Sequence, residues 1–133
     1  MLNGAIGGLV AITAEPLMPS PLAAILIGAV GGIIVVYGTK FLLSMKIDDV
    51  VGAIPAHLFA GIWGTLAVPI TNSTANFGSQ LLGVVAINGT VFAISFIIWL
   101  SMKNTLGIRL SKDAELKGTD VSETGVIAYA IRD

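Results

Sequence analysis

The sequence contains no cysteine among its 133 residues. Disulfides, thiolate metal ligands and cysteine nucleophiles are therefore excluded, and the redox compartment stays open. Charge is scarce as well. Asp, Glu, Lys and Arg make up 11% of the chain, against about 25% in an ordinary soluble domain. The net charge is −1, so bulk charge offers nothing to a nucleic acid, and none is expected as a partner. No Gly-rich phosphate loop follows a strand pattern, and no clustered acids suggest a metal site. No cofactor is implied. Internal repeats and low-complexity runs are missing. Residues 1–14 are apolar but lack the basic leading region and the cleavage site of a secretory signal. Histidine occurs once, as His57.

What the chain has is apolar length. Hydrophobic residues make up 55% of it, and they fall into apolar segments at about 2–14, 22–45, 50–70 and 77–102. A span needs roughly 20 apolar residues. The first segment is shorter than that, closed by Glu15-Pro16 and the turn Pro19-Ser20-Pro21. It reads as a re-entrant piece or as part of a helix. Apolar segments of this length cannot all be buried in a soluble domain of this size, so a soluble enzyme is not expected. The expected fold class is an all-α membrane protein with four transmembrane helical segments within 1–102, followed by a short polar C-terminal tail, 103–133.

The basic residues orient the segments. Lys40 and Lys46 flank the link between the second and third. Lys103, Arg109, Lys112, Lys117 and Arg132 follow the fourth, and the other two links carry neither Lys nor Arg. By the positive-inside tendency, the side holding all of them is the cytoplasm. The chain is thus expected in a cell membrane (plasma or inner), multi-pass, with a cytoplasmic C-terminus.

Sixteen glycines suit helices that pack closely. Gly4 with Gly8, Gly28 with Gly32, and Gly52 with Ala56 form small-xxx-small pairs, which favour close crossings. Glycosylation sequons at Asn72 and Asn88 are read as chance matches.

His57 carries most of the functional signal. An ionisable group inside a membrane segment is costly and marks a transport or proton pathway by default. The plainer alternative is a structural residue hydrogen-bonded to a neighbouring helix. Gly61 and Gly64 lie on the same helix face and leave room beside the ring. Pro55 favours a kink just before it. A neutral imidazole has one donor and one acceptor nitrogen, so it can hold a small polar solute and relay protons without a fixed charge. Asp48 and Asp49 stand where the third segment begins and suit helix capping, with an ion-binding vestibule as the alternative. Trp63, Phe59, Trp99 and Tyr37 read as packing or interface anchors. Thr13 would bond back to its own helix, and Glu15 is solvated at the outer boundary.

Three motifs resemble one family. Met1-Leu2-Asn3-Gly4 with Gly8-Leu9-Val10-Ala11-Ile12-Thr13 is similar to the eighth-helix motif of the ammonium transporter (Amt/Mep/Rh) family. Ile47-Asp48-Asp49, Val51-Gly52-Ala53, His57 and Gly61-Ile62-Trp63-Gly64-Thr65 resemble its tenth-helix signature. Gly118-Thr119-Asp120-Val121-Ser122-Glu123-Thr124-Gly125 with Ala128-Tyr129 resembles its cytoplasmic tail motif.

The resemblance implies a partial eleven-helix ammonium-channel fold: the last four spans and the tail, as a fragment, a truncated gene or one piece of a split protein. It implies a homotrimer with a pore in each protomer, and passage of ammonia after deprotonation of ammonium. His57 would be the second of two pore histidines. Thr13 would border the conduction path, and Asp48 and Asp49 would be the acidic pair that starts the helix. Gly61 and Gly64 belong to the same signature. Gly118, Asp120, Ser122, Gly125 and Tyr129 would form a regulatory tail, with Ser122 at a phosphorylatable position and a PII-type protein as partner. The chain departs from the family pattern at Leu58, where glycine is common, and at Thr124, where histidine is. The first pore histidine, the outer aromatic recruitment site and the phenylalanine gate belong to earlier helices. The rival expectation is a non-conducting membrane sensor or interaction module on the same scaffold.

Overall fold

The computed structural model describes residues 2–15, 17 and 19–127. Met1, Pro16, Ala128, Tyr129 and Arg132, all used in the sequence reading, lie outside the described residues. The chain divides into two compact units, Met1–Gly89 and Thr90–Asp133. The described residues are helical, with helices α1 (Leu2–Ile12), α2 (Pro21–Ser44), α3 (Ala60–Thr71), α4 (Phe77–Thr105) and α5 (Lys112–Lys117). A π-helical turn, Ile54–Phe59, runs directly into α3, and a second occupies Asp120–Thr124. Among the described residues, three helices are long and apolar enough to cross a membrane: Pro21–Ser44, Ile54–Thr71 and Phe77–Thr105. Leu2–Ile12 is apolar but shorter.

Local chemistry sets the helix ends. Ser20 caps α2, its hydroxyl accepting from the Ala23 amide at 3.3 Å, and Pro21 fills the first helical position, where its missing N–H costs nothing. At the other end Lys46 takes a left-handed conformation, φ 58°. Its amide donates to Leu43 O and that of Ile47 to Leu42 O, each at 3.0 Å. This is the Schellman arrangement, which satisfies the last carbonyls of a helix, with lysine where glycine is usual. Pro69 lies within α3; it cannot donate to the helix ladder, and α3 ends shortly after it at Thr71.

The core of the first unit is made of small residues. Gly4, Gly7 and Gly8 of α1 lie against Gly32, Gly31 and Gly28 of α2, backbone to backbone. The crossing therefore uses the glycine pairs of both helices against one another. Ala11, Ile27 and Ala67 form one buried cluster, with Ile12 and Trp63 against it. Val35, Ala56 and Ala60 form another, with Val10 against it. Close backbone approach gains dispersion contacts and interhelical hydrogen bonds, the attractive terms that remain when the solvent is itself apolar. Trp63 makes one such bond, Nε1 donating to the Ile27 carbonyl at 3.0 Å. Beyond the C-terminal end of α3, Asn72 Nδ2 donates to Glu15 Oε2 at 3.0 Å, so Glu15 is tied to the end of α3 and is not simply solvated.

Two packing expectations change. Gly52 does not belong to the helix itself: it lies buried in the turn before it, at φ 72°, and Ala56 is the member of that pair in a hydrophobic cluster. Pro55 is fully buried inside a π-helical turn, so the break in regular helix expected at this proline takes the form of a wider turn.

In α4 no residue is buried. In the second unit, Ser111 caps α5 through a 3.2 Å bond from the Ala114 amide. Gly118 and Gly125 take left-handed φ values of 100° and 70° at helix ends.

Candidate functional site

His57 lies in the π-helical turn that opens the apolar helix Ile54–Thr71. Such wide turns concentrate at functional sites. The turn is seated on α2: Gly38 leaves space that Pro55 and Phe59 fill, and a Cβ there would come within 2.7 Å of the Phe59 ring. With Pro55 and Ala56 buried, the next residue points away from α2, and His57 is exposed.

The imidazole borders a cavity of about 300 Å³ within the first unit. One wall carries His57, Gly61 and Thr65, and the other Gln80, Val84 and Asn88. Both triplets are spaced i, i+4, i+8, which places each on one helix face. The Asn88 Nδ2 donates to the Val84 carbonyl at 2.8 Å within its own helix, which leaves the Asn88 side-chain oxygen as an acceptor. The lining of this open cleft thus includes an imidazole, a hydroxyl and two carboxamides besides apolar side chains. It can hold a small solute that donates hydrogen bonds. A volume of this size also admits several waters.

The predicted residues separate in space. Gly61 lines the cavity beside His57. Gly64 instead packs against the Ala11 backbone, closely enough that a Cβ would overlap it; it makes room for α1 and not for the ring. Thr13 follows α1, its hydroxyl donating to Val10 O at 2.7 Å, and it is not among the cavity-lining residues. Asp49 caps the His57 turn: Oδ1 accepts from the Ala53 amide at 2.9 Å and Oδ2 from the Ile54 amide at 2.8 Å. Asp48 is exposed. Thr65 belongs to the signature that contains His57, whereas Gln80 and Asn88 carry no motif in the sequence. The signal for them was the polar residues recurring at the spacing of one helix face in an otherwise apolar span.

The tail residues fall in the second unit. Gly118 closes α5; a Cβ there would come within 2.6 Å of an Asp120 carboxylate oxygen. Asp120 and Ser122 belong to the second π-helical turn, with Gly125 at its end. The Ser122 hydroxyl donates to Thr119 O at 3.4 Å and is exposed. Arg109 and Glu115 pair at the surface, Nε to Oε1 at 2.7 Å. Among the described residues, no group of three or more His, Cys, Asp or Glu side chains comes together as a metal site.

Apolar spans joined by small-residue crossings, with a histidine on a cavity wall, define a helical membrane protein. The model of the Ammonium Transporter Family matches residues 1–129, and the chain belongs to that family. It is 35% identical to the ammonium transporter Amt2 of Archaeoglobus fulgidus, over 96% of this chain and 31% of the relative. It is 41% identical to a putative ammonium transporter of Synechocystis, over 93% of this chain and 28% of the relative. It is 31% identical to the ammonium transporter of Bacillus subtilis, over 96% of this chain and 36% of the relative. The chain therefore spans about a third of the length of these curated relatives.

Proposed function

We propose that this chain takes part in moving ammonium or ammonia across a membrane, and that His57 lines the path. The observation that carries this reading is the cavity of about 300 Å³ with His57, Gly61 and Thr65 on one wall and Gln80 and Asn88 on the other. The physics is consistent with it. Stripping water from a cation is far more costly than moving a small neutral molecule through apolar surroundings. A histidine can take up the proton that separates the two. The role is conduction and not catalysis.

In this reading the spans lie in the plasma or inner membrane with the C-terminal tail in the cytoplasm, three protomers assemble, and each has its own pore. Thr13, which follows α1 and does not line the His57 cavity, borders a different stretch of the path. The tail, through Gly118, Asp120, Ser122, Gly125 and Tyr129, meets a PII-type regulatory protein. Family membership and the placement of the basic residues support these assignments.

The experiment is uptake of labelled methylammonium by cells carrying His57→Ala or His57→Leu at the native locus. Uptake is expected to fall to background while the protein stays in the membrane. Unchanged uptake would remove the transport role of His57 and leave a non-conducting sensor as the better reading.

A further inference from the structure

We propose that Asn3 is a positioning residue for His57, acting across the molecule through the turn that precedes the histidine's helix. The inference rests on the reading of His57 as a path-lining residue. Asn3 stands in the first turn of α1. Its Nδ2 donates to the Val51 carbonyl at 2.7 Å, across a sequence separation of 48 residues. The same nitrogen lies against the α-carbon of Gly52, where any Cβ would overlap it. Gly52 also holds a left-handed φ of 72°, a conformation glycine adopts without penalty. The amide of Asn3 and the bare backbone of Gly52 are therefore matched to one another.

Four further amides of this turn are bonded locally. Gly52 N donates to Asp49 O at 3.0 Å, and Ala56 N donates to Gly52 O at 3.1 Å. The Asp49 carboxylate accepts the Ala53 and Ile54 amides at 2.9 and 2.8 Å. The Asn3 bond is the tie that comes from a different helix. The chain of bonds runs from Asn3 to the Val51–Gly52 peptide, from Gly52 O to Ala56 N, and so to the residue that precedes His57. On the other side Pro55 and Phe59 abut Gly38. The His57 turn is thus held between α2 and α1: on the α1 side Val10 packs against the cluster that holds Ala56, and Asn3 adds a hydrogen bond from its carboxamide. Releasing the Asn3 bond lets the start of the helix Ile54–Thr71 shift, and the ring shifts with it. Misplacing a reacting group by about 1 Å can cost a hundred-fold in rate.

The chain has one histidine, so the imidazole can be read directly by ¹⁵N NMR of the purified native polypeptide in micelles. Asn3→Leu keeps the bulk and removes the donor; Asn3→Ala removes both without overfilling the site and serves if the first variant does not fold. The expected result is a drop of about ten-fold in the maximal rate of methylammonium uptake, with KM little changed and the His57 ring resonances shifted. In a His57→Ala background the Asn3 substitution should add no further loss. Wild-type uptake in a folded variant would overturn the proposal. So would a loss of uptake with the ring resonances unmoved, which would make Asn3 a structural residue only. If His57→Ala itself leaves uptake unchanged, the transport reading fails; shifted resonances would then still support the link from Asn3 to His57, and unmoved ones would overturn it.

Discussion

Gly8 of α1 and Gly28 of α2 stand back to back: a Cβ on Gly8 would come within 2.9 Å of the Gly28 carbonyl oxygen. The obstacle is backbone and not a movable side chain, so the two helices would have to separate. Gly8→Ala is expected to destabilise the first unit by about 1–3 kcal/mol, the usual cost of overfilling a packed core. Gly89→Ala is the control, because a Cβ there meets nothing within 4 Å. Thermal unfolding in detergent, followed by circular dichroism, should show a lower Tm for the first variant and an unchanged or slightly higher Tm for the second. Equal Tm values would mean that the α1–α2 crossing contributes little.

The two aspartates before the helix Ile54–Thr71 are neighbours in sequence with different roles. Asp49 accepts two helix-start amides through its two carboxylate oxygens, and Asp48 is exposed. Asp49→Ala is expected to cost about 1–2 kcal/mol, the range for losing a helix cap, and Asp48→Ala about 0.5 kcal/mol or less. Chemical denaturation of the two variants side by side checks this. An equal effect would return Asp48 to the site as a second partner of the turn.

Much of this arrangement is visible in the sequence, for physical reasons. Long apolar runs make the helical membrane class plain, because composition alone decides what a bilayer accepts. Small-xxx-small spacing announces that α1 and α2 approach a neighbour closely, but it cannot say which one; only the fold sets Gly8 against Gly28. Pro55 signals a break in regular helix, but not that the resulting wide turn is seated against Gly38 of α2. Asn3 looks like one polar residue in an apolar run, and its partner is 48 residues away. Gln80 and Asn88 lie in a segment whose apolar length dominated the reading, and their place opposite His57 appears only when the cavity is seen.

Gly61 and Gly64, both predicted to make room beside the histidine, can be told apart by substitution. Gly61 lines the cavity, and a Cβ on it would sit 3.8 Å from Val10 Cγ1, an ordinary contact. Gly64 faces the Ala11 backbone with no room at all. Gly61→Ala should therefore fold with near-wild-type stability, while Gly61→Leu should fold and lower methylammonium uptake by filling the cavity. Gly64→Ala should lower the yield of folded protein, with a cost of about 1–3 kcal/mol. Measuring membrane abundance and uptake together separates the two effects. A stable Gly64→Ala protein with reduced uptake would place Gly64 on the path after all.

The tail offers a pH test that leaves the membrane helices alone. The hydrogen bond from Arg109 holds the Glu115 carboxyl below its usual range, and the charge attraction acts in the same direction. Arg109 is raised in turn, first by that hydrogen bond and then by the attraction. A depressed carboxylate pKa means that the pairing is fully present above the ordinary glutamate value of about 4.3. It is lost as pH falls through the lowered folded value. The raised Arg109 value lies far above neutral pH, so pairing should persist from about pH 5 through the neutral range. The pair is exposed to solvent, and exposed pairs are weak and screened by salt. The Glu115 carboxyl ¹³C resonance should therefore titrate with a midpoint below that of a free glutamate, and raising the salt concentration should move the midpoint towards the ordinary value. Glu115→Gln should abolish that titration and leave the Tm of the protein unchanged. A midpoint at or above the ordinary value would mean that Arg109 and Glu115 do not pair in solution.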